Sequence, residues 1–575
     1  MFYFITLLGV KIHIDSTPGK NKGDELMKKS LALVLALVFV LSMALTACGP
    51  KPVTSDVATP AAEPKVFRMA ATEPPNLDPQ LGTDTVSIMV DNAILEGLVR
   101  VHEGKTLPGM AETWDISEDG LTYTFHMRDA QWSDGQKVTA KDFEYSFIRL
   151  LDPATASEYA FQGYYIVNGE EYNTGKITDP SQVGVKAIDE KTLEIKLKAP
   201  TKYFLALTGF LSFMPSRKDL VEQHKEAYSA DADKAVYNGP FVLKEWQHDA
   251  SMVLEKNANY WNKEAIKLDR VELTIVTDSK TIINMYEAGD TDMATISKDL
   301  IAKYKAEDKA NFSPDGAEFY FQFNIKGRNP EIGKFLSNKN FIHALGYAID
   351  RQAFCDQVLK NGSTAAQRYI LPLLMGTEDK FATEYPLEYY PKNADSAKAK
   401  ELLEIALKEL GTTIDKVPAI EYLTDDSDVA RINGEAIQDM VSKNLGIKLE
   451  IKQVQFKQRL ELMQAHDYDF VFAGWGPDYD DPMTYADLWV TGGGHNNTNW
   501  SNAKYDELIA FAKSSPDEKA RAQAMFDSEK LLLEEGPIVP IYFRQIAFAK
   551  QPYVKDVVRN FIGADPDFVF ADIQK

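Results

Sequence analysis

AETWDISEDGLTYTFHMRDAQWSDGQKVTAKDFEYSFIRLLDP, from Ala111 to Pro153, contains the two periodicities that decide the fold class. Within it LTYTFHMR (Leu121 to Arg128) alternates with period two, the pattern of a strand with one buried face. Thr139-Ala140-Lys141-Asp142 then forms a helix start, and FEYSFIRLL (Phe143 to Leu151) carries apolar residues at helical spacing. Working outward, TLEIKLK (Thr192 to Lys198) reads as another strand. ADSAKAKELLEIALKEL (Ala394 to Leu410) is an amphipathic helix ended by Gly411. EAIQDMVSKNLGIKLEIKQV gives a helix, a stop at Gly446 and a strand. YDFVFAGW (Tyr468 to Trp475) is a short buried strand that opens into Gly476-Pro477-Asp478. Strands and helices mixed in this way predict an α/β protein of at least two lobes.

Composition narrows the class further. The 575 residues are 26% charged and 45% hydrophobic, too apolar for disorder and too varied for a coiled coil. A chain this long can build large cores with a deep cleft between lobes. The net charge of −22 argues against nucleic acid as a partner, since phosphate binding needs a basic face. Two cysteines in so long a chain exclude a disulfide scaffold.

The start of the chain reads as an address. From Met27, Lys28 and Lys29 precede the apolar run Leu31 to Leu45, which is shorter than the ~20 residues of a membrane span but suits a signal-peptide core. It ends in Leu45-Thr46-Ala47-Cys48-Gly49, which resembles a bacterial lipobox and implies a lipid on Cys48 after cleavage before it. Residues 1–26 lie upstream of this signal, so Met27 is expected to be the true start, with 27–47 the signal peptide. Residues 48–65, rich in Pro, Ala, Thr and Ser, are expected to be a lipidated tether. The protein would then sit outside the cytoplasmic membrane, anchored by lipid.

Catalytic and metal motifs are missing. None of the eight histidines stands at the i, i+4 spacing of a zinc helix, and no GxSxG, Walker A or post-strand GxGxxG occurs. Cys355, beside Phe354 in an expected helix, reads as a packed thiol. Asp478, Asp480 and Asp481 hint at a calcium loop, but Pro482 and the lack of the loop Gly and Glu break that pattern. Carboxylate pairs are plentiful in an acidic chain, so a hydrolase stays open as an alternative from another class. No enzyme activity, cofactor or resident metal is expected.

Several motifs fall in one order along the mature chain. EPPNLDP (Glu73 to Pro79) and ILEGLVR (Ile94 to Arg100) precede the opening block. NGPFVLKEW (Asn238 to Trp246), KNANYW (Lys256 to Trp261), YEAGDTDM (Tyr286 to Met293) and ALGYAIDR (Ala344 to Arg351) follow it. The set resembles the family 5 extracellular solute-binding proteins, the oligopeptide, dipeptide and nickel binding subunits of ABC importers. The resemblance runs from about Val66 to about Phe543 and is nearest the oligopeptide binders. It implies a periplasmic-binding-protein-like fold: 66–95, 217–323 and 545–575 in lobe I, 96–216 as an inserted subdomain, and 324–544 in lobe II. It further implies oligopeptides as ligand, a monomer, and delivery to permease subunits in the membrane. A different cargo on the same scaffold (a nickel chelate, a sugar, a signalling peptide) is the alternative within the family.

The resemblance also names site residues. In AGWGPDYDDP, Asp478 matches the family aspartate that pairs with a peptide's α-ammonium. Gly474, Trp475 and Gly476 would offer backbone to the peptide as an added strand, with glycine permitting close approach. Tyr159, in TASEYA, would lie over the ligand. Asn238, in a turn signal, and Asn496 and Asn497, after Gly492-Gly493-Gly494, match positions near the cleft. Tyr479, Tyr485 and Trp489 suit side-chain pockets, although such residues are more often core. The family's carboxylate-fixing cation is missing from DYDFVFAGW, where Phe472 stands instead, and Arg544 is the late cation expected to reach the cleft. Ile342 replaces the usual Arg before ALGYAIDR.

Overall fold

The computed structural model describes residues 63–575; the signal peptide, Cys48 and most of the expected tether lie outside them. Two antiparallel strands of 13 residues each, Asn311–Phe323 and Ile538–Lys550, cross the middle of the main sheet. On one side follow Met293–Thr295, Val66–Ala71, Arg270–Ile275, Ser251–Lys256 and Phe241–Gln247. On the other follow Phe470–Trp475, Ile420–Asp425 and Leu449–Val454. The first group pairs with the 548–550 end of the crossing strands, and the second with the stretch 318–323. Each crossing strand therefore serves two bodies, and the result is a two-lobe α/β fold.

The ladder between the crossing strands slips from Pro314 to Glu318. Gly316 lies in that gap with φ +78°, a conformation that favours glycine, and a β-carbon there would overlap the Phe561 carbonyl oxygen. A break in the ladder between two packed bodies is the local weakness a hinge needs.

Local signals settle the elements around this frame. Thr122–Met127 buries Tyr123, Phe125 and Met127 on one face, as period two demands. It pairs with Ala111–Ile116 on one edge and Thr192–Lys196 on the other, and Val185–Ala187 completes a separate four-stranded sheet. Helix Ala140–Leu151 lies along this sheet, and the Thr139 backbone N–H at its start donates to the Asp142 carboxylate at 2.8 Å. Helix Asp428–Leu445 ends at Gly446, φ +72°, and connects the parallel strands Ile420–Asp425 and Leu449–Val454. The helix expected around Cys355 departs from a regular α-helix: after Arg351–Ala353 the chain widens into a π turn, Phe354–Leu359. Ile342 is buried in the core, where an arginine would meet no water. Among the described residues no helix is long and apolar enough to cross a membrane.

Candidate ligand-binding site

Strand Phe470–Trp475 sets the site. Along one edge it pairs fully with 318–323, but its parallel neighbour Ile420–Asp425 meets it only at Phe470 and Val471. From Phe472 onward that second edge has no strand beside it among the described residues. It faces a cleft of about 520 Å³, lined by Tyr159, Trp475, Gly476, Asp478, Asn497 and Arg544 among others.

Asp478 follows directly, its backbone N–H donating to Thr484 Oγ1 at 3.0 Å. Its carboxylate accepts from the Tyr159 hydroxyl at 3.2 Å and from Gln162 Nε2 at 2.9 Å. Gln162 is held in turn by Ser212, whose hydroxyl donates to Gln162 Oε1 at 2.6 Å. Burial pushes the Asp478 carboxyl well above the usual range, and the two hydrogen bonds pull back only part of that shift. Among the described residues no lysine or arginine pairs with it. A carboxylate with neutral donors alone keeps unspent capacity for a charged donor.

Tyr159 is 2% exposed, so it is a wall residue and not a surface one. Its ring meets Phe210 at 5.4 Å, Trp475 at 6.1 Å and His495 at 4.9 Å. The turn Ala160–Tyr165 brings Gln162 to the same carboxylate. Gln162 and His495 escaped the sequence reading. Gln162 stands three residues past Tyr159, the spacing of a tight helical turn, and His495 follows the glycine run directly.

The other expected residues divide. Gly476 has open space where a β-carbon would stand, as close ligand approach requires. Gly474 has a different cause: the Phe319 ring occupies its β-carbon position at 2.9 Å. Asn497 lines the cleft. Asn238 does not; its amide bonds the Glu96 backbone at both ends, 3.0 Å each, and clamps two buried segments. Asn496 is likewise spent within its loop, donating to the Trp489, Val490 and Trp500 carbonyls. Arg544 reaches the cleft, but its guanidinium pairs with Asp315 and lies 4.8 Å over Phe319. Tyr479 is core, stacked on Tyr203 at 4.4 Å. Tyr485 and Trp489 are buried as well.

The calcium loop does not assemble. Asp481 receives both Arg521 Nη atoms at 2.8 Å, and Asp480 accepts the Met375 N–H at 3.0 Å. Among the described residues no three His, Cys, Asp or Glu side chains are grouped to hold a metal ion. Cys355 is buried, and burial pushes its thiol up to about 12.

Two lobes joined by shared strands, with a cleft whose wall carries the Asp478 carboxylate, have the architecture of a solute-binding protein. Sequence comparison specifies the class: a profile for "Bacterial extracellular solute-binding proteins, family 5 Middle" matches residues 105–497. The chain belongs to this family of binding proteins. It is 34% identical to the dipeptide-binding protein DppE of Bacillus subtilis, over 92% of this chain and 96% of that one. Listeria monocytogenes OppA bound to peptide superposes with TM-score 0.84 at 33% identity, covering 89% of this chain and all of that one. Against the unliganded open form of MppA, 29% identical and covering 89% of this chain and 98% of that one, the TM-score is 0.57. The lobes here are not set as in that open form.

Proposed function

We propose that this protein captures oligopeptides in the interlobe cleft and delivers them to the permease of an ABC importer. Asp478 carries the reading: it stands three residues past a strand with one open edge, is drawn out of bulk water, and has only neutral partners. An extended peptide matches each feature, with its α-ammonium on Asp478 and its backbone along Phe472 to Gly476. A binder of many sequences must grip these shared groups. Tyr159 and Gln162 orient the carboxylate, and Gly476 leaves room for the ligand main chain. The lobe boundaries are those of the sequence reading, with 96–216 as the insert, except that a hinge at the Pro314–Glu318 slip assigns 318–323 to the second lobe, with whose strand Phe470–Trp475 it pairs. The protein works as a monomer held outside the cytoplasmic membrane by a lipid on Cys48, and performs no catalysis.

The test is to purify the protein, denature it, and identify what it releases by mass spectrometry. Released peptides of mixed sequence support the reading. An empty preparation whose melting temperature ignores peptide mixtures overturns it.

A further inference from the structure

The cleft is lined by more carboxyl groups than cationic ones. Its lining includes four carboxylates, Asp84, Glu158, Asp425 and Asp478, against two cations, Arg459 and Arg544. Both cations are answered, since Arg459 Nε lies 2.9 Å from Asp425 and Arg544 pairs with Asp315. Asp84 caps the helix Thr85–Ile94 by accepting the Val86 and Ser87 N–H groups. Glu158 and Asp478 remain, with no lysine or arginine partner among the described residues.

Both carboxylates belong to the surroundings of Tyr159, Asp478 directly and Glu158 through His495, whose ring lies 4.9 Å from that of Tyr159. Asp478 accepts from the Tyr159 hydroxyl, and Glu158 is its neighbour in the chain. Glu158 accepts from the Gln464 amide, and His495 Nδ1 lies 3.7 Å from its Oε2. That imidazole supplies no charge, because burial lowers its pKa to about 3. Burial pushes the Glu158 carboxyl up to about 7. An arriving cation would tip such a group to its ionised form.

Two further observations point to a ligand. Glu158, Gln464 and Asn497 line both the cleft and an adjoining polar cavity of about 550 Å³, so there is room beyond Tyr159 for a long side chain. Lys326 and His466 line that second cavity too, and neither pairs with Glu158. Beside Tyr159, Trp475, 9% exposed, has an indole N–H with no partner, an unspent donor in the cleft wall.

We propose that Glu158 is a specificity-determining residue that takes the ammonium or guanidinium of a basic first residue, so that the site selects peptides beginning with lysine or arginine. The proposal rests on the peptide reading above, with the α-ammonium on Asp478. Both carboxylates line the same cleft, so in this register the α-ammonium takes Asp478 and the side-chain cation takes Glu158.

Calorimetric titration of the protein with Lys-Ala-Ala, norleucine-Ala-Ala and Ala-Ala-Lys tests it. The Lys-first peptide should bind about tenfold tighter than its neutral near-isostere, the size of one charge-assisted bond. Glu158→Gln should erase that difference and leave norleucine-Ala-Ala binding unchanged, which also shows that the variant folds. Ala-Ala-Lys should gain nothing over norleucine-Ala-Ala. Equal binding of all three peptides by the unmodified protein, or a lysine preference that survives Glu158→Gln, overturns the proposal and leaves peptide binding intact. Binding of none overturns both.

Discussion

Tyr159 and Asp478, 319 positions apart in the chain, meet at 3.2 Å through the phenol hydroxyl and a carboxylate oxygen. The bond joins the segment that follows helix Ala140–Leu151 to the strand end at Trp475. A carboxylate oriented this way is preorganised: a ligand ammonium arriving in the cleft need not reorder it.

The first prediction concerns that carboxylate. Asp478→Asn should weaken binding of a free-amine peptide by about 1.5–3 kcal/mol, the range for a hydrogen bond to a charged group. N-acetylating the peptide should cost a similar amount. Because both changes remove one pair, their effects should not add, which a double-mutant cycle by calorimetry would read. Normal binding by Asp478→Asn would place the peptide's amine elsewhere.

The same substitution should act in the opposite direction on the empty protein. Folding raises the Asp478 pKa, so this group favours the folded state below the ordinary carboxylate range. That contribution is lost as pH rises through the raised value, and at neutral pH the buried group opposes folding. Asp478→Asn should therefore raise the ligand-free melting temperature at pH 8 more than at pH 4. A loss of stability at pH 8 would show that the carboxylate is already satisfied there.

At the slip between the crossing strands, Gly316→Ala should destabilise the protein. A positive φ costs an L-residue roughly 1–2 kcal/mol, and the new methyl would also press on the Phe561 carbonyl. Thermal melting reads the loss. An unchanged melting temperature would mean that the slipped ladder relaxes without cost.

How much of this was legible in the sequence depended on range. Thr122–Met127 and Asp428–Leu445 announce themselves through period and caps, because burial and end chemistry are decided within a few residues. Asp478 and Tyr159 came from motifs, and the structure stands them together. Gln162 and His495 stayed hidden because their neighbours arrive from segments some 300 residues away. Asn238 read as a turn residue near the cleft for the same reason: the Glu96 backbone that occupies its amide lies 142 residues earlier. Arg544 pointed toward a cleft, but no local pattern could reveal that Asp315 already answered its charge.

Behind the cleft, Glu529 accepts from Arg368 Nε and from the N–H groups of Tyr369 and Ile370, at 3.2, 2.9 and 2.8 Å. Arg368 is 4% exposed. Glu529→Ala would strand a buried guanidinium and two amides, and should cost about 3–5 kcal/mol in denaturant unfolding. A loss below about 1 kcal/mol would indicate that water reaches the pair.

Arg544 supplies the last prediction, because its place in the cleft invites a role its chemistry does not support. A cation that fixes a peptide's C-terminal carboxylate must be free to pair with it. Arg544 is bound to Asp315 and sits on the Phe319 ring. Arg459, the other cation lining the cleft, is 2.9 Å from Asp425. Arg544 cannot bind a ligand carboxylate without leaving the buried Asp315 unpaired, a loss comparable to the gain, and Arg459 would have to leave the half-buried Asp425. Amidating a peptide's C-terminus should therefore change its affinity less than about threefold, under 0.7 kcal/mol. N-acetylation should cost at least tenfold. Affinity should also vary little along a series from tripeptide to hexapeptide, since no charge fixes the far end. A large penalty for amidation, abolished by Arg544→Gln, would restore Arg544 as a ligand residue and show that the Asp315 pair opens on binding.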